Sequence, residues 1–205
     1  MKLYLVRHGN TDSLDNKINQ SLDTPLNEQG IKQANALAKR LKNESFDLII
    51  SSSLIRAKQT AEIIGKKFIE SDLFVERKKP SEIMGKSKND PILSVIWEKI
   101  EKMYTVDQSW RYSDEENFED LKSRGEKALK FLLTQNKEKI LVISHGTFMG
   151  VLLGLMIDKN RYDGKMFMKL STFLKMDNTG ISIFNYNWEK GWSIEGWNDR
   201  SHWME

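Results

Sequence analysis

Cysteine is absent from the 205 residues. Its absence excludes disulfides and thiolate-rich metal sites outright, and it fits a chain kept in a reducing compartment. Proline is scarce, with three in all; two of them, Pro80 and Pro91, fall in one stretch near the middle. Long apolar runs are missing as well. Leu3 to Val6 is too short for the core of a secretory signal, and "FMGVLLGLMI" is too short to cross a bilayer. These absences predict a cytoplasmic protein without a membrane partner. Nor does one sign of charge dominate: 32 Lys and Arg stand against 29 Asp and Glu, leaving +3. That balance argues against a nucleic-acid partner. Histidine is rare, with three in the chain, so where each one falls is informative.

What is present is an alternation of short apolar runs with helical segments. "KLYLV" is continuously apolar, as expected of a strand buried on both faces of a parallel sheet. "DTPLNEQG" carries turn chemistry, with Asn27 placed to cap a helix. The helix that follows sets Ile31, Ala34, Leu37, Ala38 and Leu41 on one stripe. "FDLIIS" reads as a second strand, "SLIRAKQTAEIIGKKF" as a second helix and "LFVER" as a third strand. Strand and helix alternating in this way imply right-handed crossovers.

From Lys78 to about Asn117 the rhythm breaks. No buried strand is evident there, and "ILSVIWEKIEKMY" reads as helix. This stretch, about 78–117, is expected to be a helical insertion packed over the sheet. The rhythm resumes with an amphipathic helix through Phe118, Leu121, Leu129 and Leu132. "KILVIS" is the fourth buried strand and "TFMGVLLGLMI" a buried helix. "GISIFNYN" and "GWSIEGWN" close the chain as two strands joined by a turn near Glu189 to Gly191. The expected architecture is an α/β, three-layer α/β/α sandwich in one domain over residues 1–205. Its central sheet would be mostly parallel, with an antiparallel element at the C-terminal end.

Two of the buried strands end alike. "LYLVRHG" and "KILVISHG" each run into His-Gly. In open α/β sheets ligands sit beyond the carboxyl ends of the strands, so His8 and His145 are expected to face one crevice. Arg7 and Arg56 also fall at strand-to-helix connections. Four cation-capable groups at one edge repel each other unless an anion lies between them. A phosphoryl group supplies that charge, and the guanidinium fork matches its oxygens.

With "LVRHGNT", "SSLIRAKQTA" and "VISHG" in this order, the chain resembles the histidine phosphatase superfamily, which includes phosphoglycerate mutases and many phosphatases. The resemblance extends through "DTPLNEQGIKQA", "NTGISIF" and "WNDRSHW", and so over nearly the whole chain. It implies His8 as a nucleophile that forms a phosphohistidine, with Arg7, Arg56 and His145 binding the phosphoryl oxygens. It implies an acidic proton donor after the third strand. Glu82 in "KKPSEIMG" is the favoured candidate and Glu76, on the strand before it, the competitor. Asn10, Thr11 and Gly146 are further phosphate contacts by the same resemblance. Asn10 stands where many relatives carry Glu or Gln, which limits it to hydrogen bonding. Relatives often have Asn where Leu14 stands, with Asn16 nearby in this chain. Ser51 to Ser53 are candidates for orienting Arg56, and His202 reads as structural.

The implied activity is metal-independent hydrolysis of a phosphomonoester through phosphohistidine, with no metal ligands and no cofactor. The alternative is phosphoglycerate mutase-type transfer, disfavoured because "SEIMGKSKND" departs from the mutase pattern. A non-catalytic phospho-ligand module ranks third, since all four clamp residues are present. The expected partner is a small phosphorylated substrate; a phosphoprotein stays open, and so does the oligomeric state. Trp97, Tyr104, Trp110 and Tyr112 are expected to form a wall or packing in the insertion. Lys78, Lys79, Lys86 and Lys88 flank Glu82 as solvated cations or as attraction for an anionic substrate.

Overall fold

A computed structural model describes residues 1–204. Six strands form one sheet: β1 (Lys2–Arg7), β2 (Leu48–Ser51), β3 (Ile69–Glu70), β4 (Lys139–Ser144), β5 (Ile181–Asn187) and β6 (Gly191–Asp199). Their order across the sheet is β3-β2-β4-β1-β5-β6. The first four run parallel, whereas β5 is antiparallel to β1 and β6 to β5. The helices are α1 (Asp12–Asp15), α2 (Glu28–Arg40), α3 (Ile55–Ile64), α4 (Pro91–Val106), α5 (Phe118–Thr134), α6 (Gly146–Asp158) and α7 (Gly164–Phe173). None of them is long and apolar enough to cross a membrane.

The central strands β1 and β4 are apolar or aromatic through their middle, Leu3 to Val6 and Ile140 to Ile143, because both faces are covered. Along β1, Leu3 and Leu5 join one buried cluster, with α5, α6 and Phe184; Tyr4 and Val6 join another, with Leu37 of α2 and Ala57 and Ala61 of α3. β4 splits the same way, Ile140 and Val142 on one side and Leu141 and Ile143 on the other. The two-residue periodicity of a strand therefore divides each apolar run between two helical layers, which gives the expected three-layer sandwich.

Local signals account for the helix ends. The Asn27 side chain caps α2 by accepting from the Gly30 amide at 2.8 Å. Asp90 caps α4, which has Pro91 at its first position. Asn117 and Asp120 form a reciprocal capping box at the start of α5.

Two segments differ from their expected form. "LFVER" is not a strand: Asp72–Phe74 is a 3₁₀ turn, and the paired third strand lies earlier, at Ile69–Glu70. The reason is that side chains take its carbonyls. Arg124 Nη1 donates to the Leu73 and Val75 carbonyls at 3.1 and 2.8 Å, and Ser144 Oγ donates to the Phe74 carbonyl at 2.7 Å. The second difference is α7, which was not anticipated. Asp163 caps it through the Met166 amide, and Phe167 is buried against Tyr104 and Phe118.

Candidate active site

β1 and β4 are neighbours in register, with Arg7 opposite Ser144. The ladder continues one step further, because the His8 amide donates to the Ser144 carbonyl at 3.0 Å. His8 and His145 therefore leave the sheet side by side, and their ring centroids are 4.9 Å apart. Both are buried, at 1% and 0% exposure.

The backbone around His8 is tightly specified. A Cβ on Gly9 would stand 2.6 Å from the Gly30 carbonyl oxygen, so only glycine lets this loop lie against the start of α2. The Gly9 amide donates to Thr60 Oγ1 at 3.1 Å, and that hydroxyl donates to the Arg56 carbonyl at 2.7 Å. One threonine on α3 thus ties the loop after β1 to the helix that carries Arg56. From the other side, Asn178 Nδ2 donates to the His8 carbonyl at 2.8 Å and the Thr179 amide to the Arg7 carbonyl at 2.8 Å. His202 lies behind them, its Nε2 3.1 Å from Thr179 Oγ1, which is a structural position.

His8 Nδ1 sits 2.7 Å from the Gly9 carbonyl oxygen. A carbonyl can only accept, so Nδ1 carries the proton and the Nε2 lone pair is left for chemistry. Burial, then Arg56 and Arg7, hold the His8 pKa well below the ordinary histidine value. His8 is therefore a neutral base at physiological pH. The same burial and cations depress His145. His145 Nε2 meets Ser52 Oγ at 2.8 Å.

Beside the histidines opens a cavity of about 990 Å³, lined among others by Arg7, Arg56, Glu76 and Gly146. Arg7 Nη1 donates to the Met176 carbonyl at 2.6 Å and Arg56 Nη1 to the Ser21 carbonyl at 3.1 Å. Each keeps its Nε buried without a partner among the described residues. Arg56 is pushed down to about 10, mostly by burial and further by Arg7, so it remains cationic at neutral pH.

The two acid candidates separate clearly. Glu76 lines the cavity, and its carboxylate accepts from the Arg77, Phe148 and Thr147 amides at 2.8, 3.1 and 3.3 Å. His145 caps α6 without a side-chain bond, so Glu76 takes the orphaned amides of that helix end. Arg124 holds the approach to Glu76, with Nε and Nη2 on Glu116 at 2.7 and 2.8 Å and Nη1 on the two carbonyls before it. Glu82, favoured on the resemblance, is exposed in the 3₁₀ turn Ser81–Ile83, outside the cavity lining, with Tyr112 as its neighbour. Of the two candidates, Glu76 is the one that lines the cavity.

Asn10 and Thr11 also differ from expectation. Asn10 Nδ2 donates to Asp15, and its amide donates to Gln33. Thr11 is buried as the cap of α1 and accepts from Gln20. Both side chains are spent on the loop, and neither lines the cavity. Nor do the serines touch Arg56: Ser52 meets His145, Ser53 donates to Asp72, and Ser51 donates to the Ser52 carbonyl. Thr60, Arg124, Asn178 and Thr179 were missed by sequence reasoning. Thr60, Asn178 and Thr179 lie inside the segments "SSLIRAKQTA" and "NTGISIF" without a role assigned to them, and Arg124, in the polar stretch "EDLKSRGEKA", carries no local signal.

The chain matches the model of the histidine phosphatase superfamily (branch 1) over residues 3–200. It is 31% identical over 217 residues to a Yersinia pestis (strain Pestoides F) protein named "Probable phosphoglycerate mutase GpmB", covering 98% of this chain and 94% of that one. Among solved structures, phosphoserine phosphatase from Entamoeba histolytica in complex with phosphoserine superposes with a TM-score of 0.79 at 26% identity, covering 98% of each chain. The alpha-ribazole phosphatase from Shigella flexneri shares the fold, with a TM-score of 0.80 at 23% identity over 98% of this chain and 97% of that one.

Proposed function

Because the chain belongs to the histidine phosphatase superfamily, we propose that it is a metal-independent phosphomonoesterase working through a phosphohistidine on His8. The observation that carries this reading is the Nδ1 contact of His8 with the Gly9 carbonyl, which leaves an unprotonated Nε2 on a ring that feels the charges of Arg56 and Arg7.

In the first step Nε2 attacks phosphorus and the bond to the leaving oxygen breaks. Arg7, Arg56 and His145 hold the equatorial oxygens. In a loose transfer most of the catalysis is positioning and charge stabilisation, which buried cations supply. Glu76, in its acid form, gives its proton to the leaving alkoxide. In the second step the Glu76 carboxylate takes a proton from water, the hydroxide attacks phosphorus, and inorganic phosphate and neutral His8 are regenerated. The chain without cysteine fits work in the cytoplasm.

The test is hydrolysis of an aryl phosphate in EDTA. Turnover that persists, with an acid-labile phosphoenzyme trapped on quenching, supports the mechanism. Activity that vanishes with chelator and returns with added metal would exclude it. A second reading, intramolecular transfer as in a phosphoglycerate mutase, is favoured by the names of the 31% identical relatives. A direct mutase assay, with isomer appearing faster than free phosphate, would replace the hydrolase reading.

A further inference from the structure

Glu76 lies outside every strand and helix, after the 3₁₀ turn Asp72–Phe74 and before the one at Ser81–Ile83. No ladder fixes its backbone, and side chains do so instead. Arg124 donates to the carbonyls of Leu73, Val75 and Glu76 itself, the last at 3.4 Å. Ser144 Oγ holds the Phe74 carbonyl between them. Beyond Glu76, the Lys78 amide donates to Glu116 Oε2 at 2.9 Å, and the Glu116 amide donates to the Lys78 carbonyl at 3.2 Å. Glu116 is also the two-toothed partner of Arg124, at 2.7 and 2.8 Å. One ion pair therefore grips the chain on both sides of Glu76.

The pair also reaches the carboxylate. The Arg124 guanidinium lies 4.0 Å from the Phe148 ring centroid, and the Phe148 amide donates to Glu76 Oε1 at 3.1 Å. Tyr104 of α4 donates to the Glu116 carbonyl at 2.7 Å, so the insertion holds that half of the pair. The two side chains are 14% and 17% exposed, and neither residue lines the cavity. Any effect on the reaction therefore passes through another residue. A two-toothed, charge-assisted contact fixes direction as well as distance. A proton donor must stand within hydrogen-bond reach of the leaving oxygen, and a misplacement of about 1 Å costs about 10²-fold. That cost is unequal among substrates. An acidic phenol leaves as an anion unaided, whereas an alkoxide leaves only with a proton.

We propose that Arg124 and Glu116 are positioning residues for the Glu76 proton donor. Their ion pair, supplied half by α5 and half by the insertion, decides how basic a leaving group the site can expel. The inference rests on the reading of Glu76 as the acid of the first step.

The test compares kcat/KM for 4-nitrophenyl, phenyl and propyl phosphate, whose leaving groups are progressively more basic. This ratio reports the steps up to phosphoenzyme formation, where the donor acts, and not the later attack of water. Glu76→Gln is the reference. It is expected to lose about 10²-fold or more on propyl phosphate and far less on 4-nitrophenyl phosphate. Arg124→Met and, separately, Glu116→Gln are expected to repeat that gradient at smaller amplitude, about tenfold on propyl phosphate. Arg124→Lys should recover part of the loss, because an ammonium keeps the charge but not the fork. A merely destabilised protein loses all three substrates by the same factor. Equal losses across the series in the Arg124 and Glu116 variants, or wild-type rates, would overturn the positioning role while Glu76→Gln keeps its gradient. A Glu76→Gln variant without a gradient removes Glu76 as the donor, and the positioning role falls with it. A wild type that hydrolyses none of the three removes the reaction reading and the role together. Should Arg124→Met fail to fold, Glu116→Gln and Arg124→Lys decide, since they keep size and charge respectively.

Discussion

The floor and the wall of the cavity are both cationic, yet they are held by different means. On the floor, Arg7 and Arg56 are pinned by backbone carbonyls, at Met176 and Ser21, and the histidines leave adjacent strands of a continuous ladder. On the wall, Arg77 and Lys79 rest on ring faces and one asparagine, in and beside a stretch with almost no sheet pairing. A backbone-pinned charge keeps its place whatever the ligand. A ring-supported one depends on which aromatic residues the insertion supplies. Chemistry that must stay constant therefore suits the floor, and discrimination suits the wall.

The strongest way to break this contrast is to remove the nucleophile proposed for the floor. His8→Ala is expected to lower kcat by about 10⁴-fold or more and to abolish acid-labile phosphorylation, with the circular dichroism spectrum unchanged; retained turnover would exclude His8. Next comes the seam between floor and wall. Glu76→Gln should cost about 10²–10⁴-fold in kcat, whereas Glu82→Gln should stay close to wild type. The opposite ranking in steady-state kinetics would return the acid role to Glu82. The scaffold beneath the floor can be probed with Gly9→Ala, whose Cβ meets the Gly30 carbonyl oxygen at 2.6 Å. Overpacking of that kind costs about 1–3 kcal/mol, seen as a melting temperature lower by about 2–4 °C for each kcal/mol. An unchanged melting point would mean that the loop gives way freely.

The smallest effect belongs to the wall. Lys79 is held down to about 8 by burial, then by Arg77 and Lys88, with Glu76 and Glu101 opposing them. Its charge is lost as pH rises through about 8, so affinity for an anionic substrate in the cavity it lines should weaken from pH 7 to pH 9, and in Lys79→Met that slope should flatten. The stability effect has the other sign. The folded pKa lies below the unfolded one, so the unfolded chain binds more protons between about 8 and the ordinary lysine value. Denaturant titrations should therefore show the Lys79 contribution rising with pH in that window.

Both sides of the contrast also explain what was readable before folding. β1 and β4 were legible because burial on both faces makes their middle residues apolar without alternation, and the paired His-Gly ends leave the sheet side by side because the two strands are adjacent. α2, α4, α5, α6 and the β5–β6 hairpin were legible from caps and periodicity. Periodicity failed in detail at Ile31, which lies on the expected stripe yet is exposed. "LFVER" misled because its apolar residues look like strand while Arg124 and Ser144, far away in sequence, take its carbonyls. The same distant arginine places Glu76, so the choice between two nearby glutamates could not be made locally. α7 carried a signal that was passed over: Asp163 as cap, then Met166, Phe167 and Leu170 at helical spacing. Asn10 and Thr11 look like ligand residues by position, but the loop itself consumes their hydrogen bonds.

The place of β1 in the sheet has a consequence for biosynthesis. The strand that leads into His8 is flanked by β4 and β5, both encoded far downstream. As the ribosome extends the chain, β1 emerges with no partner on either side. It stays unpaired until those late strands leave the exit tunnel. Such non-local pairing folds slowly and leaves an apolar strand open to chaperones in the interval. It also means that no nascent fragment lacking β4 and β5 holds an assembled His8–His145 pair. The pair should therefore assemble in a single late event, once β4 and β5 have docked on either side of β1.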